Sequence, residues 1–313
     1  MVSLSEMMEG AWIEGKQLEV PGDNFVEQLT DLLVELHSSP YTGPNRKKFP
    51  AERDVADLIA CDDKDDFTKQ AIDEYFNLDN RQSNQNITTD INLIPMAGSG
   101  SRFKNEGYNS IKAMIQIENE SMFLKTTKSF PKSKEWIFIF KDTPKLKYSN
   151  ITDVIKETYD DNKIIILHNE TSGQAATCLK AKNLLTPKKS LFIASCDYLS
   201  IYDQGKWEQM LKLNNDVDVF IWTYKPTDII VKDFNAFAYC KVDIDSGIVL
   251  EIKEKEVISN NPRNDQMIIG SFWFRDSSDF INSAENAIKN NVTIKGEHYI
   301  GNSLNHLIQK GKK

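Results

Sequence analysis

The stretch Ile91–Ile117, INLIPMAGSGSRFKNEGYNSIKAMIQI, constrains this chain more than any other. It opens with a short apolar run, Ile91, Leu93, Ile94, Pro95 and Met96, which reads as a buried strand. It then passes straight into Gly98-Ser99-Gly100-Ser101-Arg102. A strand that empties into a small-residue loop can bring backbone N–H groups close to an anion. Gly98 and Gly100 carry no Cβ, so the backbone is free to adopt φ > 0 and let a phosphate approach. Arg102 adds a planar fork matched to phosphate, and Lys112 a point charge. Read from the glycines alone, an ordinary Gly/Ser turn explains the loop equally well. The pattern is not a Walker loop, which needs G-K-[ST], nor the dinucleotide G-x-G-x-x-G, since Lys104 and Asn105 follow Phe103.

From Ile91 onward, strand and helix patterns alternate. Strands are expected at Trp136–Phe140, Ile164–Leu167, Leu191–Ala194 and Val217–Thr223. Helices are expected near Phe123–Ser129, Ile151–Tyr159, Ala175–Leu185 and Gln204–Leu213. Such alternation predicts a mostly parallel sheet with helices on both faces, binding its ligands at the carboxyl ends of strands. After residue 235 hairpins take over: Ala236–Val242 and Ile248–Lys253 flank the turn Asp245-Ser246-Gly247. A last strand, Ile268–Phe274, precedes helices near Ser278–Lys289 and Ser303–Gln309.

Residues 1–80 read as a separate helical accessory segment. Asp23 can cap a helix whose apolar residues Phe25, Val26, Leu29, Leu32, Leu33 and Leu36 share one face, and two shorter helical patterns end at Phe76. Those faces need an apolar surface, on the main domain or on a second subunit, so a homo-oligomer is among the expected states. Residues 81–90 read as a linker, leaving 91–313 as the main domain.

Net charge −8 argues against nucleic acid or an anionic membrane as partner, while leaving room for a local cationic site. No apolar run approaches the ~20 residues of a membrane span. The four cysteines, Cys61, Cys178, Cys196 and Cys240, lie far apart with no metal-ligand spacing, and reduced thiols in the cytoplasm are the expectation.

Further along, Asp197 ends the apolar run SLFIASCD, where an acid at a strand's carboxyl end could hold Mg²⁺ or simply begin a loop. Thr171-Ser172-Gly173-Gln174-Ala175 reads as a helix start, with Ser172 capping and Gly173 turning. Glu254 and Lys255 stand among charges of alternating sign, which equally describes a solvated strand end. His298 reads as an ordinary structural histidine.

Taken together, these segments resemble the sugar-nucleotide pyrophosphorylase (nucleotidylyltransferase) family, of the capsule and lipopolysaccharide precursor type that includes choline-phosphate cytidylyltransferases. Ala97–Arg102 match its A-G-x-G-[ST]-R signature, Lys112 its signature lysine, and Ala113–Ile117 the strand that follows. Gly173-Gln174-Ala175 resembles its base-binding segment, Ser195-Cys196-Asp197 its metal-binding aspartate, and Glu254-Lys255 its E-K motif. Ile269–Phe274, with Gly270, looks like the strand lining its acceptor pocket, and Gly296-Glu297-His298-Tyr299 with Asn305 its G-E-x-Y…N segment.

The resemblance implies a glycosyltransferase-A-like Rossmannoid mixed sheet over residues 91–313. It implies Mg²⁺-dependent transfer of a nucleotide, CTP or UTP favoured, to a small phosphomonoester, with release of pyrophosphate, supplying a precursor of surface polysaccharide. Arg102 and Lys112 would be catalytic; Ala97, Gly98, Ser99, Gly100, Ser101, Gly173 and Gln174 would bind nucleotide. Glu254, Lys255, Gly270 and Glu297 would bind the acceptor, and Asp197 with Glu297 the metal.

Two positions depart from the family pattern. Ile111 stands in the place of a proline, so the lysine loop is expected to be less rigid. Gly301 stands where many relatives have a second metal-binding acid, so either Glu297 completes the site, or one carboxylate serves, or the metal is held otherwise. The alternatives are a glycosyltransferase on the same sheet, for which Asp197-Tyr198-Leu199 lacks the D-x-D, and a nucleotide-binding protein that has lost activity.

Overall fold

The structure, a computed structural model, describes residues 85–313 apart from 99, 101–102, 104–109, 118–119, 201 and 227–232, together with 12–13 and 16–17. The helices expected between Asp23 and Phe76 lie outside the described residues. Near the N-terminus, β1 (Trp12–Ile13) and β2 (Lys16–Gln17) form an antiparallel two-stranded ladder.

The main sheet has eight strands. Four run parallel in the order β8 (Leu191–Ile193), β3 (Thr89–Met96), β6 (Ser133–Lys141) and β7 (Asn162–Leu167). β12 (Gln266–Phe274) lies antiparallel against β8 and carries β9 (Val219–Tyr224) along its other side. Beyond it come β10 (Ala238–Val242) and β11 (Val249–Glu254), the expected hairpin, with Gly247 at φ +71° in its turn. A small ladder, β4 (Gln116–Ile117) with β5 (Glu120–Ser121), lies off this sheet.

The period-two alternation of the strands divides the core into two layers. Ile91, Leu93, Ile137, Ile139, Leu191 and Ile193 point to one face, covered by α4 (Gln174–Cys178), α6 (Ser277–Lys289) and α7 (Ile300–Gln309) through Ala175, Cys178, Phe280, Ala284, Ile300, Leu304 and Leu307. Ile94, Trp136, Phe138, Phe140 and Phe192 point to the other. They pack on α1 (Met122–Thr127), α3 (Ile151–Thr158) and α5 (Gln204–Leu213) through Phe123, Ile151, Ile155 and Trp207. α2 (Pro144–Lys147) is a single turn capped by Thr143, whose hydroxyl accepts from the Leu146 amide. The indoles of Trp207 and Trp273 donate to Thr88 and Thr89 at the start of β3, giving both buried N–H groups a partner.

Two elements differ from expectation. The helix anticipated over Ala175–Leu185 is α only to Cys178 and winds as a tighter 3₁₀ segment over Leu179–Leu184. The Thr177 hydroxyl donates back to the Gly173 carbonyl, a bond that bends a helix at its first turn. The chain after Lys112 is not one strand: Lys112–Met114 form a 3₁₀ turn, closed by the Ile115 amide on the Lys112 carbonyl, before β4 begins. The buried cysteines Cys178, Cys196 and Cys240 are free thiols; Cys61 lies outside the described residues.

β11 is an edge strand, and its central backbone groups would otherwise face no partner. Asn305 of α7 supplies one for each. Its Oδ1 accepts from the Ile252 amide at 2.9 Å and its Nδ2 donates to the Ile252 carbonyl at 2.8 Å. Asn305→Ala should therefore lower the unfolding free energy by about 1–3 kcal/mol, the cost of stranding a part-buried donor and acceptor, as read from urea denaturation midpoints.

Candidate active site

Strand order locates the crevice. From β3 the chain passes outward to β6 and β7, then returns to lay β8 on the opposite side of β3. The loops leaving β3 and β8 thus diverge at their carboxyl ends, the topological switch point at which open α/β sheets bind ligands. The glycine loop leaves β3 there and Asp197 follows β8.

These loops meet. Lys112 forms an ion pair with Asp197, 85 residues further on, with their side chains 24% and 13% exposed. Gly100 takes φ +59°, and a Cβ on it would lie 3.5 Å from the Lys112 Cβ, so the loop passes directly against the lysine. Gly98 is exposed, has nothing within 4 Å of a Cβ position, and does not take positive φ. Ala97 is half-buried at the end of β3. Ser99, Ser101 and Arg102 lie outside the described residues. Phe103, which sequence reasoning passed over, is buried with its ring 5.3 Å beneath the Lys112 ammonium. Ile111 holds φ −67°, the angle a proline ring would impose, so the local backbone keeps the proline-like course. Behind Asp197, burial and the neighbouring carboxylate push the Cys196 thiol up to about 12, which leaves it an inert packing group.

Next to β8, β12 changes partners along its length. Its residues Phe272–Phe274 pair with β8, whereas Gln266–Ile268 pair with β10. Between them Gly270 takes φ +83° and the register against β9 shifts. A side-chain-bearing residue at that angle would be strained. The fork sets Glu254, the last residue of β11, level with Ala238 and Ile268.

A second meeting joins the remaining motifs. The His298 amide donates to the Ser172 carbonyl at 2.6 Å, and the Ala175 amide to the His298 carbonyl at 2.9 Å. Gly173, at φ +112°, lies so close that a Cβ would stand 2.6 Å from the His298 nitrogen. Gly173, not Ser172, occupies the N-cap position of α4, and no side chain caps it; the strand-like bonds to His298 occupy the place that Ser172 was expected to fill. Gln174, half-buried, opens the helix. His298 is buried with Nδ1 donating to the Val292 carbonyl at 3.0 Å, in keeping with a structural role. Glu297 is exposed and accepts from the Tyr299 hydroxyl. Burial, reinforced by the bond to Glu297 and the charge of Glu254, raises the Tyr299 phenol. Lys255, at φ +56°, donates to the Ala236 carbonyl with its ammonium 5.6 Å over the Tyr299 ring.

Solved structures share this architecture. No family model and no curated protein matches the sequence. Among solved structures, the chain is similar to the nucleoside-diphosphate-sugar pyrophosphorylase from Vibrio cholerae RC9 (TM-score 0.55, 23% identity, 70% of this chain and 88% of that one). It is also similar to the inositol-1-phosphate CTP transferase from T. maritima (0.53, 11%, 73% and 84%), and to a UDP-glucose pyrophosphorylase solved with UDP-glucose (0.50, 14%, 71% and 88%). The fold of the chain is that of the sugar-nucleotide nucleotidylyltransferases.

Glu254 gives the site a titration. Burial pushes its carboxyl from 4.5 up to about 7, against the pull of Lys255. The folded chain then keeps a proton that the unfolded chain has released, so this group's contribution to stability falls as pH rises from about 4.5 to about 7 and is flat above. Denaturation midpoints of wild type and Glu254→Gln should separate across that window, the variant gaining as pH rises, and run parallel above it.

Proposed function

We propose that this chain is a nucleotidylyltransferase, joining a nucleoside triphosphate to a small phosphomonoester and releasing pyrophosphate. One observation carries the reading: Lys112 and Asp197 pair beside Gly100 at the crevice between β3 and β8. A cation, a carboxylate and a close backbone are the three parts a triphosphate needs, since phosphoryl chemistry rests on positioning and charge neutralisation.

The acceptor phosphate oxygen would bond to the α-phosphorus as the bond to the bridging oxygen breaks, pyrophosphate leaving with that electron pair. Lys112 would let go of Asp197 and balance charge on the α-phosphate and the attacking phosphate. Arg102 would do so at the β- and γ-phosphates. Gly98 to Ser101 would cradle phosphate with backbone N–H groups, and Gly173 and Gln174 would hold the base. Glu254, Lys255 and Gly270 would face the acceptor.

A Mg²⁺ ion fits the donor set. It takes one or two carboxylates and fills its other positions with phosphate oxygens and water. Among the described residues no cluster of three acids, histidines or cysteines offers a fuller cage. Asp197 would hold it, with Glu297 as the second carboxylate of this reading; bound, the ion would neutralise triphosphate charge. CTP in the name of one similar structure and UDP-glucose bound in another make CTP and UTP the first to test. A precursor of surface polysaccharide is the product class we favour.

Purified protein given Mg²⁺, CTP or UTP and a panel of phosphomonoesters should release pyrophosphate. Lys112→Ala should slow that release by about 10²–10³, the loss expected for one electrostatic contact to the transition state, with an unchanged circular dichroism spectrum. Release of free nucleoside diphosphate instead would mark a glycosyltransferase, and a rate within threefold of wild type would take Lys112 out of the mechanism.

A further inference from the structure

Gly301 is the second residue of α7, and its backbone is ordinary right-handed helix, so no dihedral calls for glycine there. Glycine is a poor helix former, which leaves space as the reason for it. A Cβ at 301 would lie 3.5 Å from Ile252 Cγ2 and 3.7 Å from Ile268 Cδ1, both ordinary contacts, but 2.9 Å from Glu254 Oε2. The volume an alanine methyl would fill is filled by a carboxyl oxygen. Helix and strand have little freedom to part, because the Asn305 side chain bonds both backbone groups of Ile252, two residues before Glu254 on the same face of β11. Among the described residues this carboxyl has no hydrogen bond or ion pair of its own. It is held by shape rather than by a partner, and its hydrogen-bonding capacity remains for a ligand.

We propose that Gly301 is a positioning residue that seats the Glu254 carboxyl against the first turn of α7, and thereby sets which hydroxyl or ammonium group of an acceptor it receives. The inference rests on the reading that Glu254 faces the acceptor. Any side chain at 301 would push the carboxyl out of this seat and misdirect it. Gly301 then does more than mark a missing acid: its lack of a side chain makes room for the acid at the end of β11.

The test is a double-mutant cycle on Gly301→Ala and Glu254→Ala, with Glu254→Asp as a second, shorter acid. Thermal midpoints need no activity. Gly301→Ala should raise the midpoint by less in the wild-type background, where the carboxyl has to swing aside, than when Glu254 is alanine or aspartate, where the methyl meets only ordinary contacts with Ile252 and Ile268 and helix propensity gains in full. With glucose 1-phosphate and phosphocholine as acceptor probes, Gly301→Ala should raise KM about tenfold or more, the size of one misdirected charged hydrogen bond. The value of kcat and the CTP dissociation constant should stay within about threefold, and the change should add nothing to Glu254→Ala. Equal effects of Gly301→Ala in all three backgrounds would overturn the inference, since the glycine would then serve the helix alone. If neither probe is turned over by the wild type, the functional reading is what fails, and the thermal cycle still decides the seating of Glu254.

Discussion

The ion pair between Lys112 and Asp197 is the interaction on which the rest of the site depends. It spans the crevice between two parallel strands and joins loops that the sequence keeps 85 residues apart. A partly buried pair gives up hydration for its mutual attraction, so its net worth to folding is modest. Its value lies in what it holds ready. In the proposed reaction each partner would satisfy the other until a phosphate and a cation arrive together, and a ligand that supplied only one charge would leave the second stranded. Differential affinity of that kind is what couples two ligands thermodynamically.

The frame around the pair follows from strand alternation. β3, β6, β8 and β12 were readable as apolar runs because their apolar residues are buried in the middle of the sheet, and the half-buried edge strand β7 because it carries Ile164, Ile165, Ile166 and Leu167 in a row. Helix α5 was readable end to end because Asp203 caps it, its carboxylate accepting from the Lys206 amide. The glycine loop, Asp197, Glu254 and Lys255 were legible as motifs on a resemblance, and the solved structures share the fold that it implied.

Other features were not legible, for physical reasons. The 3₁₀ turn at Lys112 buries Ala113 in the core layer that holds Phe123 and Phe138, a tertiary contact that no local pattern records. The bend after Cys178 comes from one threonine hydroxyl. Phe103 lies in a polar stretch whose periodicity gives no reason to bury it. Gly301 read only as an absence, because the carboxyl that fills its space comes from a strand 47 positions earlier. The clamp of Gly173 on the His298 backbone likewise ties a helix start to a turn more than a hundred residues away.

In the proposed function Lys112 and Asp197 are the phosphate and metal halves of one site. Calorimetric titration of CTP into wild type and Asp197→Asn, with Mg²⁺ and with the metal chelated, tests that most directly. Wild type should bind CTP tightly only with Mg²⁺. Asp197→Asn, whose Lys112 is released, should bind metal-free CTP more tightly than wild type does and gain nothing from Mg²⁺. If the variant binds metal-free CTP no better than wild type and keeps the full Mg²⁺ enhancement, the pair is a structural contact and the crevice between β3 and β8 is not the triphosphate site.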